Sequence, residues 1–304
     1  AKHHLGISDG RIDPSKLPKE KSADERRREI EEDEAKRIRT ANWIWKKGST
    51  TQGKEEGLSY LRGRGITCDI PSDTLRFRKL SPAELEKMGV ARKDIPATPV
   101  VSLIFAARNK DGQITAVQQV LTTQGKKVAF ENPKRTNGHM PGSSVMLGDP
   151  TKSRRMALVE GPETALSVFQ STGIPTQITL GSSNFTKVHV PETVEELITV
   201  SDMEPNGVGL CSALKTAQHW KRNGVKRAGI AIPPRLNDGD YNDVHQQFGE
   251  ELVKKGIDGA FFPPEYDQDG TILITPDARA AFFAWSKTGI EVAAKVPPKD
   301  KETG

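Results

Sequence analysis

Cysteine and long apolar runs are scarce in this sequence of 304 residues. Cys68 and Cys211 are its two cysteines, so neither a disulfide framework nor a four-cysteine zinc site can form within the chain. No stretch approaches the ~20 apolar residues of a membrane span, and no basic start with an apolar run and a cleavage site indicates a secretory signal. We therefore expect a cytoplasmic protein in a reducing compartment. Because the chain begins at Ala1, we also expect a piece of a longer protein or a trimmed chain.

Positive charge is concentrated in the middle of the chain, although the whole sequence has a net charge of only +5. Residues 41–155 hold 20 basic and 10 acidic side chains, whereas residues 156–304 hold 14 basic and 20 acidic ones. A concentrated basic block is typical of a protein that binds a polyanion, but a solvated surface rich in Lys and Arg has the same composition. The acidic half is suited to divalent metals, which would restore its attraction for phosphate.

The apolar pattern and the turn signals divide the chain into four parts. The first is charged and lacks an apolar period until Ser22, which begins a predicted helix with a capping box. In the second, Asp111-Gly112 predicts a hairpin, and a further strand is expected over 127–130. The predicted parts are a charged, partly disordered and partly helical leader over 1–40, a basic α+β subdomain around an antiparallel sheet over 41–152, an α/β domain over 153–256, and a short helical and mobile tail over 257–304.

Short apolar strands alternate with helical segments in the third part. Four such strands with helical crossovers predict a parallel, Rossmann-like sheet, whose ligand site lies beyond the carboxyl ends of its strands. One helix is expected over 243–255, and another over 277–286 in the tail. The predicted strands cover residues 156–159, 177–180, 197–200 and 228–232.

Carboxylates follow three of these strands. Glu160 follows the first, Asp202 and Glu204 follow the third, and Asp240 and Asp243 follow the fourth. A single acid in such a place is more often a helix cap or a turn residue. Acids at three strand ends instead favour a shared metal site, because clustered carboxylates repel one another unless cations neutralise them. Oxygen ligands suit Mg²⁺ or Mn²⁺.

These strand ends resemble the Toprim domain shared by primases and topoisomerases. That pattern has a strand ending in Glu-Gly, here Glu160-Gly161, and a strand ending in Asp-x-Asp with a nearby Gly, here 202–204 followed by Gly207 and Gly209. The later segment 240–243 is similar to the Asp-x-Asn-Asp element of phage- and plasmid-type Toprim primases. Glu204 departs from the pattern, since it is one methylene longer than the usual Asp.

The resemblance covers residues 153–246 and extends upstream. Residues 43–45 and 60–66 resemble the segment that precedes Toprim in such proteins, and residues 129–135 resemble the basic, Asn-containing segment of the primase core. The zinc-binding module that usually precedes this core has no counterpart here. Either it lies outside this piece, or the template is selected in another way.

The resemblance implies a DNA primase catalytic core that synthesises short RNA primers on a DNA template by two-metal nucleotidyl transfer. Glu160 is expected to handle a proton or bind metal, Asp202 and Glu204 to bind metal, and Asp240 and Asp243 to act as further ligands or orienting groups. The implied cofactors are two Mg²⁺ or Mn²⁺ ions, with no zinc in this chain. The implied partners are single-stranded DNA, NTPs and a replicative helicase.

The basic part is expected to hold the nucleic acid or the nucleotide. Trp43, Trp45 and Phe77 are candidates for stacking on bases, although both tryptophans also fit a helix core. The residues predicted to contact phosphate or nucleotide are Arg62, Arg64, Arg76, Arg78, Lys79, Lys126, Lys127, Asn132, Lys134 and Arg135.

Three other functions compete with primase. A topoisomerase needs a nucleophilic Tyr on DNA-gate domains, for which this chain has no room. A Toprim nuclease would use the same metals to activate water, but such enzymes usually accompany an ATPase, and no Gly-rich phosphate loop ending in Lys-Ser or Lys-Thr occurs here. A non-catalytic DNA-binding module is the third alternative, and five acids at strand ends argue against it.

Overall fold

The computed structural model describes residues 21–203, 207–236 and 238–262. It also describes the backbone of β1 (Ile7–Ser8) and β2 (Arg11–Ile12), which pair as antiparallel strands. Apart from β1 and β2, the predicted leader lies outside the described residues as far as residue 20. Glu204 and the helix expected over 277–286 lie outside them as well.

A long helix and an antiparallel sheet form the first half of the described chain. The sheet has the order β3-β4-β5-β6, and β7 pairs with the same edge of β5 as β6 does. The elements are α1 (Ala23–Lys47), α2 (Lys54–Gly63), β3 (Leu75–Leu80), α3 (Pro82–Lys87), β4 (Val100–Arg108), β5 (Ile114–Thr123), β6 (Lys126–Lys127) and β7 (Lys134–Gly138).

Local signals in the sequence explain several of these elements. The predicted capping box of α1 is present, with Ser22 accepting from the amide of Glu25 and the Glu25 side chain accepting from the Ser22 amide. The predicted hairpin between β4 and β5 is confirmed, and its turn is closed by Asn109, whose side chain accepts from the amides of Asp111 and Gln113. Hydrogen bonds of this kind join residues that are close in the sequence, which is why sequence reasoning finds them.

A mostly parallel sheet forms the second half, as predicted. Its order is β12-β11-β9-β10-β8, with β8 antiparallel at one edge and the other four strands parallel. The elements are β8 (Val145–Leu147), β9 (Arg155–Val159), α4 (Pro162–Thr172), β10 (Thr176–Ile178), β11 (Glu196–Val200), α5 (Val208–Arg222), β12 (Arg227–Ala231), α6 (Tyr241–Phe248) and α7 (Glu250–Asp258).

Helices cover both faces of this sheet, so its strands are continuous apolar runs rather than alternating ones. Val159 and Ile198 pack on one face, in a core shared with α4, α6 and α7. Leu158 and Ile230 pack on the other face against α5. No helix among the described residues has the length and apolar character needed to cross a membrane.

Three sequence predictions differ from the structure. The helix expected over 243–255 is two helices, because Gly249 between α6 and α7 has a φ of 82°, which breaks the helix. Of the strand expected over 127–130, only Lys127 is in a strand, as the second residue of β6. Strands β7 and β8 were not predicted, and β7 is a polar segment whose pairing with β5 determines its conformation.

The two halves share one core and several buried polar contacts. Tyr60 and Leu61 of α2 pack in the same apolar cluster as Leu166 of α4. The amide of Asn242, fully buried in α6, donates to the backbone carbonyl of Arg64 and to Ser167 Oγ, both at 2.8 Å. These contacts fix the antiparallel sheet relative to the parallel one.

Replacing Asn242 with Ala should destabilise the protein, because two buried acceptors lose their donor. An unsatisfied buried polar group costs about 1–3 kcal/mol. Urea denaturation should therefore show a loss of this size in the free energy of unfolding. The matched control is Gln247→Ala, which changes an exposed residue of the same helix and should alter the stability by less than about 0.5 kcal/mol. Equal effects of the two variants would contradict the stabilising role of these two hydrogen bonds.

Candidate active site

The carboxyl ends of β9 and β11 bring two of the predicted acids to one edge of the sheet. The two strands are adjacent and parallel, with Thr199 opposite Leu158. Glu160 follows β9 directly and Asp202 follows β11 by two residues, and both are half-buried. The topology therefore places both acids at the carboxyl edge, where ligands bind in open α/β sheets.

Backbone contacts hold the loop that carries Asp202. Met203 pairs with Gly239 through two hydrogen bonds of 2.8 and 2.9 Å, which join this loop to the segment before α6. At Gly209, in the first turn of α5, a Cβ atom would lie 2.4 Å from the carbonyl oxygen of Asp202. Only glycine permits this approach of the helix to the loop, which gives a physical reason for the glycine after the Asp-x-Asp pattern.

Asp240 and Asp243 form the N-terminal cap of α6. One oxygen of Asp240 accepts from the amides of Asn242 (2.7 Å) and Asp243 (3.1 Å), and one oxygen of Asp243 accepts from the amide of Asp240 (3.0 Å). The pair thus caps the helix, which is the alternative to metal binding that the sequence analysis gives for an acid in this position. The second oxygen of each carboxylate accepts no hydrogen bond from the described residues, and metal binding by this pair stays a prediction.

The acids suit a divalent cation in chemistry. All are carboxylates, the ligand type that Mg²⁺ and Mn²⁺ prefer. Within the described ranges, however, no three His, Cys, Asp or Glu side chains lie close enough together to form a metal site. Glu204, which follows β11 together with Asp202, belongs to residues 204–206, which lie outside the described ranges. A complete ligand set is therefore still a prediction.

A sixth carboxylate, which sequence reasoning missed, lies next to this edge. Glu163, in the first turn of α4, is buried with 3% of its side chain exposed. Tyr60 donates a hydrogen bond to its Oε1 at 2.8 Å, Lys127 Nζ lies 2.8 Å from the same oxygen, and Lys134 Nζ lies 3.1 Å from Oε2. We call these four residues the Glu163 cluster. They come from α2, β6, β7 and α4, so the cluster joins the two halves of the structure.

The charges in the Glu163 cluster determine its protonation. Burial alone would raise the pKa of Glu163, but the ammonium groups of Lys134 and Lys127 and the hydrogen bond from Tyr60 hold that pKa at about 2. Burial lowers the pKa of Lys127, and the carboxylate of Glu163 opposes this shift. Burial raises the pKa of Tyr60, and the charge of Glu163 raises it further. Glu163 is therefore ionised at neutral pH and Tyr60 is neutral.

Lys134 brings the basic segment of the sequence to the strand end that carries Glu160. Its Nζ lies 3.2 Å from the position that a Cβ atom on Gly161 would occupy, so the ammonium group sits directly over the residue next to Glu160. Arg64, at the end of α2, is half-buried beside the same cluster and acts electrostatically on Lys127. Of the predicted phosphate contacts, Arg64, Lys127 and Lys134 are thus brought together.

Other predicted contacts lie on the opposite face of the antiparallel sheet. Side chains alternate along a strand, and the register puts Arg76, Arg78 and Arg135 on the face covered by α1. Arg76 stacks on Trp45, 4.2 Å from the ring centroid, and donates to its carbonyl oxygen at 3.2 Å. Arg78 pairs with Glu84. The structure does not bring these arginines to the Glu163 cluster.

The remaining candidates are exposed, and some have local partners. Arg62 pairs with Glu55 and Lys79 pairs with Glu56, while Lys126 and Asn132 are exposed. The stacking predictions for Trp45 and Phe77 are wrong, because both side chains are buried in the core, at 6% and 4% exposure. Trp43 is 54% exposed, with Arg78 and Lys47 against its ring.

Comparisons with known proteins agree with this geometry. Residues 35–147 match a family model described as a domain of unknown function, DUF7146, and residues 155–251 match a family model described as a Toprim domain. The chain carries a Toprim domain. Its parallel sheet, with Glu160 and Asp202 at the carboxyl edge, lies within that match.

Solved structures with a similar fold include primase cores. One is a DnaG primase catalytic domain bound to single-stranded DNA, with 15% identity and a TM-score of 0.51 over 81% of this chain and 87% of that one. Another is the E. coli primase catalytic core, with 14% identity and a TM-score of 0.50 over 82% of this chain and 88% of that one. The Toprim domain and the sheet before it therefore have the fold of a primase catalytic core.

Protonation of Glu163 should cost stability in acid. Its pKa lies at about 2 in the folded protein, below the ordinary value of 4.5, so its contribution is present above pH 4.5 and is lost as the pH falls towards 2. A shift of this size corresponds to about 3 kcal/mol. Glu163→Gln lacks this dependence, so the stability advantage of the wild type over the variant should shrink between pH 5 and pH 2.5 in urea denaturation. Parallel pH profiles would contradict the assignment.

Proposed function

We propose that this chain is the catalytic core of a DNA primase, which synthesises short RNA primers on a single-stranded DNA template. The observation that carries the proposal is the position of Lys134, whose ammonium group lies over Gly161 beside the strand end of Glu160. A Toprim domain provides the acids, and the basic sheet provides a cation at the same place. The likeness in fold to primase catalytic cores supports this assignment.

The chemistry of nucleotidyl transfer matches these residues. Phosphoryl transfer depends on positioning and on neutralisation of negative charge more than on covalent catalysis. Glu160, Asp202 and Glu204 would hold Mg²⁺ or Mn²⁺, with Asp240 and Asp243 as further ligands or orienting groups. The bound ions would supply Lewis acidity to the phosphoryl group and acidify the attacking 3′-hydroxyl. Lys127 and Lys134 would bind phosphate oxygens of the nucleotide or the template.

The template is proposed to contact basic and aromatic groups of the antiparallel sheet. Arg64 and Lys134 would bind its phosphates near the acids, and the exposed ring of Trp43 would stack on an unpaired base. A catalytic domain with this fold was solved bound to single-stranded DNA, which supports a template role for this half. A helicase partner and a phage or plasmid origin stay predictions from the sequence.

Asp202→Asn should reduce primer synthesis by roughly a hundredfold or more, because the variant keeps the shape of the side chain but removes a charge at the site of phosphoryl transfer. The assay combines a single-stranded DNA template, labelled NTPs and Mg²⁺ or Mn²⁺, and detects short RNA on a gel. Asp238→Asn is the matched control, since Asp238 is an exposed acid close to Gly239, with which the Asp202 loop pairs. Its activity should equal that of the wild type.

Two outcomes of this assay would change the assignment. Normal RNA synthesis by Asp202→Asn would exclude the proposed mechanism. A wild-type protein that degrades the DNA and makes no RNA would instead be a metal-dependent nuclease that uses the same acids. Glu204→Asp restores the usual acid of the Toprim pattern, and retained activity would identify Glu204 as a working ligand.

Binding of single-stranded DNA should depend steeply on salt, because each neutralised phosphate releases counterions with a slope of about −0.7 in log K against log salt. Lys134→Ala should make that slope shallower by about this amount. Lys93→Ala, at an exposed lysine outside the Glu163 cluster, should leave it unchanged if it lies off the template path. Fluorescence anisotropy of a labelled oligonucleotide between 50 and 300 mM salt, about the range where such contacts dominate, measures both slopes. An unchanged slope in Lys134→Ala would place the template elsewhere.

A further inference from the structure

Glu163 differs from the other acids of the site because its carboxylate cannot reach a ligand. The side chain is only 3% exposed, and Tyr60, Lys127 and Lys134 surround it. The two lysines, by contrast, keep 30% and 39% of their side chains exposed. A phosphate that approaches the site therefore meets the ammonium groups and not the carboxylate behind them.

The position of Glu163 is fixed relative to Glu160. It lies three residues further along the chain, in the first turn of α4, after Gly161 as the N-cap and Pro162 as the first helical residue. Proline restricts φ, and the helix is packed into the core through Leu166, so this connection has little freedom. Groups bound to Glu163 are consequently held at a defined place beside the strand end.

The lysines lack such a constraint of their own. Lysine is a charge on a flexible four-carbon stem, and ordering it costs rotamer entropy. If a buried carboxylate already orders the stem in the free protein, the ligand does not have to order it on binding. One carboxylate against two ammonium groups also leaves net positive charge facing the site.

We propose that Glu163 is a positioning residue, whose buried carboxylate holds the ammonium groups of Lys127 and Lys134 where they bind phosphate oxygens. This inference rests on the proposed function for the class of ligand, which is a nucleoside triphosphate or the phosphates of a DNA strand. A buried ion pair is a costly way to fill a core position, so a role in packing alone does not explain the charge. The charged and titratable groups that act on the cluster are Tyr60, Arg64, Lys127, Lys134 and Asp240.

The test is a double-mutant cycle on binding. Glu163→Gln keeps the shape of the side chain and one acceptor oxygen but removes its charge. The background variant replaces Lys127 and Lys134 with Met, which retains most of the aliphatic stem and removes both amines. Dissociation constants are measured separately for ATP and for a labelled oligothymidylate, without any requirement for catalysis. Tyr60→Phe is the matched control, because it removes a neutral partner from the same carboxylate.

Glu163→Gln should weaken binding of at least one probe about tenfold in the wild-type background and less than about twofold in the Met background, since contacts in one network are not additive. Tyr60→Phe should weaken it by less than about twofold. An effect on ATP alone identifies the nucleotide as the ligand of the lysines, and an effect on the oligothymidylate alone identifies the template. In RNA synthesis, Glu163→Gln should raise KM for the affected ligand more than it lowers kcat.

Two results would overturn the proposal. One is wild-type affinity of Glu163→Gln for both probes, and the other is an equal loss of affinity in both backgrounds, which indicates a purely structural role. Urea denaturation checks folding, and Glu163→Asp enters the same cycle if the Gln variant does not fold. RNA synthesis separates the two proposals. If the wild type makes no RNA but the binding data show the coupling, the positioning role stands and the primase function does not. If the wild type makes RNA and the coupling is absent, the primase function stands and the positioning role does not.

Discussion

The burial of Glu163 constrains much of the structure around it, because a carboxylate inside a protein must be paired with cations or hydrogen-bond donors. Its partners come from three elements of the antiparallel half, namely α2, β6 and β7. The observed arrangement of the two halves pairs this buried charge with Tyr60, Lys127 and Lys134. That arrangement puts Lys134 over Gly161 and gives the carboxyl edge of the parallel sheet both acids and cations.

Most of the fold was predictable because its signals are local. Apolar strands with helical crossovers predict the parallel sheet, and Asp111-Gly112 predicts the long hairpin. The elements that were missed depend on distant partners or on a single residue. The polar segment Lys134–Gly138 is a strand only because β5 lies beside it, and Gly249 divides a helical pattern that is otherwise continuous.

The site was predictable in part for the same reason. Glu160 and Asp202 follow adjacent parallel strands, and topology alone then places them at one edge. Glu163 has no comparable signal, since an acid in the first turn of a helix is usual and its lysines lie much earlier in the chain. The arginines were predicted as one group because sequence does not show which face of a strand a side chain occupies until the register is known.

The antiparallel sheet also separates the two surfaces that we propose for binding of nucleotide or nucleic acid. Lys134 lies on the side of the Toprim domain, whereas the exposed ring of Trp43 belongs to the helix that covers the other side. A polymer touches both only if its path bends round an edge of the sheet. Under the proposed function, a contact at Lys134 and stacking on Trp43 are therefore separate events, which single substitutions on either side of the sheet can distinguish.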